Sequence, residues 1–272
     1  MVNDLDSLLE PVIEIANRAG EAILEIYAGE FEVETKDDRS PLTEADRASH
    51  RLICDALSEL TPAVPVWSEE SAAIPFETRA GWPEFWLVDP LDGTKEFIKR
   101  NGEFTVNIAF VQGHEPVLGI VQVPDRKQVY YGHRDGGAFV RRAGAPPRRL
   151  QVAANAAAPV RVVGSRSHRG SSLEQFLQAV GPHEIVPMGS SLKFCVVAAG
   201  DADVYPRLGP TSEWDTAAAQ AVVENAGGQV LDLDGHPIRY NTKPEVLNPY
   251  FVVFGDPSRD WLALTRGVRS AD

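Results

Sequence analysis

The stretch Trp86-Leu87-Val88-Asp89-Pro90-Leu91-Asp92-Gly93-Thr94-Lys95-Glu96-Phe97 constrains this chain more than any other. Its first half is apolar and β-prone, which predicts a buried strand. The second half opens with Pro90 and Gly93, which predict that the strand breaks there. Asp89 and Asp92 then stand three residues apart across a tight turn. Carboxylates held so close repel each other, which raises a pKa and costs stability. A divalent cation turns that penalty into a binding site. Mg²⁺ suits such a site, because it takes hard oxygen ligands and keeps waters for a substrate phosphate. Gly93-Thr94-Lys95 follows directly, and backbone N–H groups at a turn or helix start bind phosphate well. Read alone, the stretch also fits an ordinary Asx turn that closes a strand, so its partners elsewhere in the chain decide.

Three further acidic positions stand out. Asp46 falls in the first turn of an expected helix, Glu69 follows a short strand, and Asp215 opens a later helix. Side chains at strand ends and helix starts can converge in a cleft between layers. Metals shared by such carboxylates can clamp the attacking and leaving oxygens of a phosphoryl transfer. Each acid by itself fits a helix cap or a solvated charge, as Trp214-Asp215-Thr216-Ala217 does. The joint pattern is the signal.

Composition narrows the class. The formal charge of −13 disfavours long nucleic acid as a partner, since that binding depends on phosphate neutralisation. A small phosphorylated substrate remains compatible, because bound cations invert the local field. No apolar run approaches a membrane span, and acidic Met1-Val2-Asn3-Asp4-Leu5-Asp6 does not read as a signal peptide. Cys54 and Cys195 have no zinc spacing and suit a reducing compartment, so the expected location is cytoplasmic, with peripheral membrane association left open.

Along the chain, Leu5, Leu8, Leu9, Val12, Ala16, Ala19, Ile23 and Tyr27 form a helical stripe ending at Gly29, with Pro11 either kinking the helix or starting it. Phe31 to Arg39 reads as a strand running into a loop. Thr43 reads as the N-cap of a helix reaching Leu60, with Asp46 at its third position. After a strand at Val64–Trp67 and the central stretch, strands are predicted at Thr105–Val111, Val117–Val123, Gln128–Gly132, Ala138–Val140 and Arg149–Val152. The turn signals between them suggest an antiparallel meander. Ala143–Arg148, with two prolines, marks a boundary between an α+β domain at 1–147 and an α/β domain at 148–272. In the second part strands at Arg161–Ser165, Ile185–Met188, Val204–Tyr205, Gln229–Asp232 and Phe251–Phe254 alternate with helices at Ser172–Val180, Ser191–Ala199, Trp214–Ala226 and Pro257–Arg266. Such alternation favours an α/β sandwich. Trp67, Trp82, Trp86 and Trp214 read as packing residues.

Asp89-Pro90-Leu91-Asp92-Gly93-Thr94, taken with Trp214-Asp215-Thr216-Ala217-Ala218-Ala219 and Ala226-Gly227-Gly228, resembles the inositol monophosphatase superfamily of Mg²⁺-dependent, lithium-sensitive phosphatases. Finer features resemble one branch, the CysQ-type 3′(2′),5′-bisphosphate nucleotidases. They are Ser40 to Asp46, Ser68-Glu69-Glu70, Lys95 to Ala109, Gly164-Ser165-Arg166-Ser167-His168, Gly189 to Phe194, and Leu208-Gly209-Pro210-Thr211 after Tyr205-Pro206-Arg207. Inositol monophosphatases usually carry Asn-Phe where Glu96-Phe97 stands. The resemblance covers the chain from about Leu9 to Phe254 and implies a layered αβαβα sandwich.

It also implies roles. Glu69, Asp89 and the carbonyl of Leu91 would hold one Mg²⁺, and Asp89, Asp92 and Asp215 a second. A third near Glu69 and Asp46 has precedent in the family. Asp46 and Thr94 would orient and deprotonate the attacking water, with Glu69 sharing in catalysis through the metal it holds. N–H groups from Asp92 through Gly93 to Thr94 would hold the scissile phosphate. Lys193 and Arg207, with Ser190, would take the second phosphate of the substrate, and His168 the nucleoside. The implied reaction is hydrolysis of adenosine 3′,5′-bisphosphate (PAP) to AMP and phosphate, with PAPS as a further substrate, by a monomer or homodimer. Inositol phosphates and fructose 1,6-bisphosphate are the competing substrates within the superfamily.

Overall fold

A computed structural model describes residue 2 and residues 4–35, 41–164 and 171–266. The first layer is a pair of helices, α1 (Asp6–Ala28) and α2 (Glu44–Leu60), with a small hairpin of β1 (Val33–Thr35) and β2 (Pro41–Thr43) between them. Helix α1 runs straight through Pro11, so Pro11 does not start it. The backbone bond that proline forgoes would have gone to Ser7, an exposed residue where water replaces it. Thr43 caps α2 as expected: its N–H and hydroxyl both donate to Asp46 Oδ2, at 2.7 and 2.6 Å.

The second layer is a sheet of seven strands: β3 (Val66–Ser68), β4 (Glu84–Asp92), β5 (Thr105–Gln112), β6 (Glu115–Val123), β7 (Gln128–His133), β8 (Gly137–Arg142) and β9 (Arg148–Arg149). β3 and β4 are parallel, and the rest is the expected meander. Two short helices interrupt it, α3 (Phe76–Arg79) before β4 and α4 (Thr94–Ile98) after it. The strand expected at Arg149–Val152 shrinks to the two residues of β9.

The remaining layers come from the second part of the chain: β10 (Val160–Gly164), α5 (Ser171–Val180), β11 (His183–Pro187), α6 (Leu192–Ala198), β12 (Val204–Arg207), α7 (Ala217–Asn225), β13 (Gln229–Asp232) and β14 (Phe251–Phe254). The strands form one sheet in the order β11-β10-β12-β14-β13. Helices α6 and α7 lie between the two sheets, and α5 covers the outer face of the second.

Side-chain alternation along the strands builds these layers. Trp86 and Val88 pack under α1 and α2 with Val12, Ala16, Ile53 and Leu57. Phe85 and Leu87, one residue out of phase, pack against α6 and α7. In the second sheet Val163, Phe251 and Val253 face that same central layer, while Val162, Val252 and Phe254 face α5 and Trp261. The result is an αβαβα sandwich. The middle layer fits because its helix is alanine-rich and meets a glycine: a Cβ on Gly119 of β6 would lie 2.0 Å from the Ala218 carbonyl oxygen.

Two expected helices differ. Trp214–Ala226 divides into a 3₁₀ turn, Glu213–Asp215, and α7. Thr216 sits at the break, where its hydroxyl meets the Glu213 carbonyl, Asn248 Nδ2 and the Tyr240 hydroxyl. Pro257–Arg266 holds only a 3₁₀ turn at Ala263–Thr265. Asp256 binds the Ser258 N–H and hydroxyl, while Trp261 Nε1 donates to the Asp256 carbonyl, so local side-chain bonds outcompete the helix there.

Candidate active site

Strand β4 does not break at Pro90. It continues to Asp92 with a register shift: Asp89 pairs with Asn107, and Asp92 with Thr105. Residues three apart on a regular strand point to opposite faces. The irregularity re-aims the end of the strand, so both acids open on one space. Pro90 has no N–H to lose there. Its carbonyl accepts the Ser49 hydroxyl of α2 at 2.7 Å, and Asp89 Oδ1 accepts the Leu91 N–H at 3.1 Å.

Glu69, Asp89 and Asp215 meet at this point, each offering a carboxylate oxygen within 4.8 Å of the other two. Glu69 sits just past β3, where its N–H donates to the Val88 carbonyl at 3.0 Å. Asp215 ends the 3₁₀ turn, with Oδ2 accepting the Ser212 N–H at 2.9 Å. Burial, and then the charges of Glu69, Asp92 and Asp215, push the Asp89 carboxyl well above its ordinary range. Burial, followed by the charge of Asp92, pushes Asp215 up to about 8. One buried acid gathered with two half-buried ones suits a hard divalent cation, and a donor set of oxygens without sulfur or imidazole favours Mg²⁺.

Asp92 lies outside that trio, near enough for its charge to act on both Asp89 and Asp215. Its Oδ2 accepts the Ser191 N–H at 2.6 Å and lies 2.8 Å from the Ser191 hydroxyl. Both the N–H and the hydroxyl of Ser191 are thus engaged by Asp92. Ser190 takes a left-handed backbone (φ 43°), and its hydroxyl meets Thr105 Oγ1 at 3.0 Å. The Gly189 N–H donates to the buried Glu103 at 2.9 Å. Gly93, also left-handed at φ 93°, faces this turn; a Cβ there would come within 3.2 Å of Ser190 Cβ.

Asp46 and Thr94 are joined directly, the Thr94 hydroxyl donating to Asp46 Oδ1 at 3.2 Å, with the Leu91 carbonyl at 3.4 Å. Lys193, half-buried, holds its Nζ 5.8 Å from the centre of the Tyr205 ring. Burial lowers its pKa, against the opposing pull of Asp92. Arg207 adds its own charge to the same environment, and its Nε is buried with no protein partner. His168 lies outside the described residues.

Residues 4–259 match the model of the inositol monophosphatase family. The chain belongs to that family. It is 48% identical over 248 residues to the 3′(2′),5′-bisphosphate nucleotidase CysQ of Escherichia coli strain K12, which covers 90% of this chain and 99% of the relative. It is 37% identical over 260 residues to the protein of the same name from Haemophilus influenzae, covering 95% and 97%. The crystal structure of CysQ from Bacteroides thetaiotaomicron superposes with a TM-score of 0.81 at 42% identity, covering 92% of this chain and 97% of that one.

Several groups that hold the acids in place are not legible in the sequence. Ser49, Asn107, Glu103 and the hydroxyl of Ser191 escaped the sequence reading as supports of the metal motif. Only Ser49 carried a usable signal: it follows Asp46 by three positions and so shares its helical face. The others reach the site through strand register and a left-handed turn, which a linear pattern does not encode. Among the described residues no helix is long and apolar enough to cross a membrane.

Proposed function

We propose that this chain is a Mg²⁺-dependent 3′(2′),5′-bisphosphate nucleotidase that hydrolyses adenosine 3′,5′-bisphosphate to AMP and phosphate, and PAPS through the same 3′-phosphate. The observation that carries the reading is the meeting of Glu69, Asp89 and Asp215, from three distant parts of the chain, within 4.8 Å. The substrate class follows from 48% identity to a relative that bears that name. Glu69, Asp89 and the Leu91 carbonyl would hold one Mg²⁺, and Asp89, Asp92 and Asp215 would hold a second; Glu69 and Asp46 would serve a third. The chemistry these residues would gain from the bound ions is Lewis-acid: a lower pKa for the attacking water and neutralised charge on the phosphate and the leaving oxygen.

The chain's own groups do the rest. The Thr94 hydroxyl donates a hydrogen bond to Asp46 Oδ1, which leaves its Oγ lone pairs free to accept from the attacking water. As the water gives one proton to Thr94 Oγ, Thr94 passes its own proton to Asp46, so the carboxylate gains one proton and the threonine is unchanged. The water oxygen bonds to phosphorus, the bond to the ribose oxygen breaks, and solvent supplies the proton that oxygen takes up. N–H groups at Gly93 and Thr94 orient the scissile phosphate. Lys193 and Arg207 take the phosphate that is kept. Ser190 adds a hydroxyl, and His168 contacts the nucleoside. The free thiols of Cys54 and Cys195 support a cytoplasmic setting.

Phosphate release from adenosine 3′,5′-bisphosphate, inositol 1-phosphate and fructose 1,6-bisphosphate tests the assignment. The nucleotide is expected to give the highest kcat/KM, and Lys193→Ala to damage nucleotide use far more than inositol phosphate use. A clear preference for either sugar phosphate overturns the substrate class.

A further inference from the structure

The hydroxyl of Ser191 stands where three elements of the site meet. Its Oγ is 2.8 Å from Asp92 Oδ2 at the end of β4 and 2.6 Å from the main-chain carbonyl of Asp215 in the 3₁₀ turn. It accepts Asn107 Nδ2 of β5 at 2.9 Å. Ser191 is 2% exposed, so water does not compete for these bonds. A serine hydroxyl has one proton and two lone pairs. Asn107 fills one lone pair, and the proton lies between the Asp92 carboxylate and the Asp215 carbonyl. The oxygen therefore sets the spacing between the side chain of one acid and the backbone of the other.

Mg²⁺ demands near-ideal octahedral geometry, so two carboxylates that share one ion need their spacing fixed beforehand. We infer that Ser191 is a positioning residue for the cation shared by Asp92 and Asp215, acting on its affinity and leaving the cation at Glu69 alone. This rests on the metal-dependent reading above. Ser191 meets no oxygen of Glu69 in any hydrogen bond of the described residues. The alternative is that Ser191 merely anchors the start of α6 to the first sheet. The two roles separate chemically: Ser191→Ala keeps the N–H bond to Asp92 and loses only the hydroxyl bridge.

The experiment is Mn²⁺ titration of the wild type and Ser191→Ala, following free Mn²⁺ by electron paramagnetic resonance, with no turnover required. The Mg²⁺ dependence of phosphate release and the melting temperature in EDTA accompany it. The expected result is that one class of bound ion loses about tenfold or more in affinity, the usual scale for a group that supports a metal ligand. The other class keeps its wild-type affinity and turnover recovers at high Mg²⁺, while the melting temperature in EDTA falls only by the cost of one buried hydroxyl. Ser191→Cys, a weaker donor of similar shape, is expected between the two, and it carries the same comparison if Ser191→Ala does not fold. Unchanged affinity for both classes overturns the inference, as does an equal loss in both with a lower melting temperature. A wild type that binds no Mn²⁺ overturns the metal-dependent reading itself.

Discussion

The Thr94 hydroxyl donates to Asp46 Oδ1 at 3.2 Å, while Oδ2 of the same carboxylate is held by the N–H and hydroxyl of Thr43. One carboxylate thus caps a helix with one oxygen and faces the reaction space with the other. Fixing Oδ2 fixes the plane of the group and so aims Oδ1.

That division of labour separates stability from turnover. Asp46→Asn keeps an acceptor oxygen for the helix start, so its stability cost stays near or below about 1 kcal/mol. Turnover is expected to fall by about a hundredfold or more, the scale of a lost general base. Thr94→Ala is expected to match it in kcat, and Thr94→Ser to retain most activity. Steady-state kinetics at saturating Mg²⁺ with parallel thermal melts check this; an active Asp46→Asn enzyme excludes the proton route.

Stability of the metal-free protein is expected to fall as pH rises. Asp215 ordinarily titrates at 3.8 and is pushed up to about 8 in the folded chain, and Asp89 is raised in the same direction. Between those values the folded state holds protons that the unfolded chain has released, so raising the pH favours unfolding. Melting temperatures in EDTA decline across that window, and the gain on adding Mg²⁺ grows with pH because the ion displaces those protons. A flat or rising profile in EDTA contradicts the assignment.

Cys54 is only partly buried, yet burial raises its thiol to about 11, so slow reaction at neutral pH is expected. Alkylation proceeds through the thiolate, so the rate with iodoacetamide is expected to climb about tenfold per pH unit through the mildly alkaline range. Fast labelling of the native protein at pH 7 rules this out. Cys195, fully buried and also raised, stays unlabelled until the protein unfolds.

Gly119→Ala is expected to destabilise the fold. The added methyl would lie 2.0 Å from the Ala218 carbonyl oxygen, so α7 must move off the sheet. Overpacking of this kind costs about 1–3 kcal/mol, and a backbone obstacle puts it at the upper end. Urea denaturation gives the value.

Where periodicity and turn chemistry act over short range, the sequence was readable. The stripe of α1, the Thr43 cap and the meander from β5 to β8 all follow from local pattern. Asp89, Asp92 and Asp215 could be named because two motifs announce them, and Asp46 and Glu69 because they stand in the runs Ser40 to Asp46 and Ser68-Glu69-Glu70. What escaped is tertiary. The shift in β4 that turns Asp89 and Asp92 to one side depends on pairing with β5. The break at Thr216 depends on Tyr240 and Asn248. Arg79 looks like a surface residue in sequence. It is buried against Trp67 and bound to Asn241, Lys243 and Pro244, which brace the segment beside Asp215.

Helix α7 presents Ala218 to one sheet and belongs with Val230 and Val253 of the other in a single apolar cluster. Neither half of the polypeptide owns that helix. A gene fragment ending near residue 147 would leave the inner face of its sheet bare, and the complementary fragment would lack a floor for its alanines. The two sheets are therefore expected to unfold together, in one transition, because each is the other's wall.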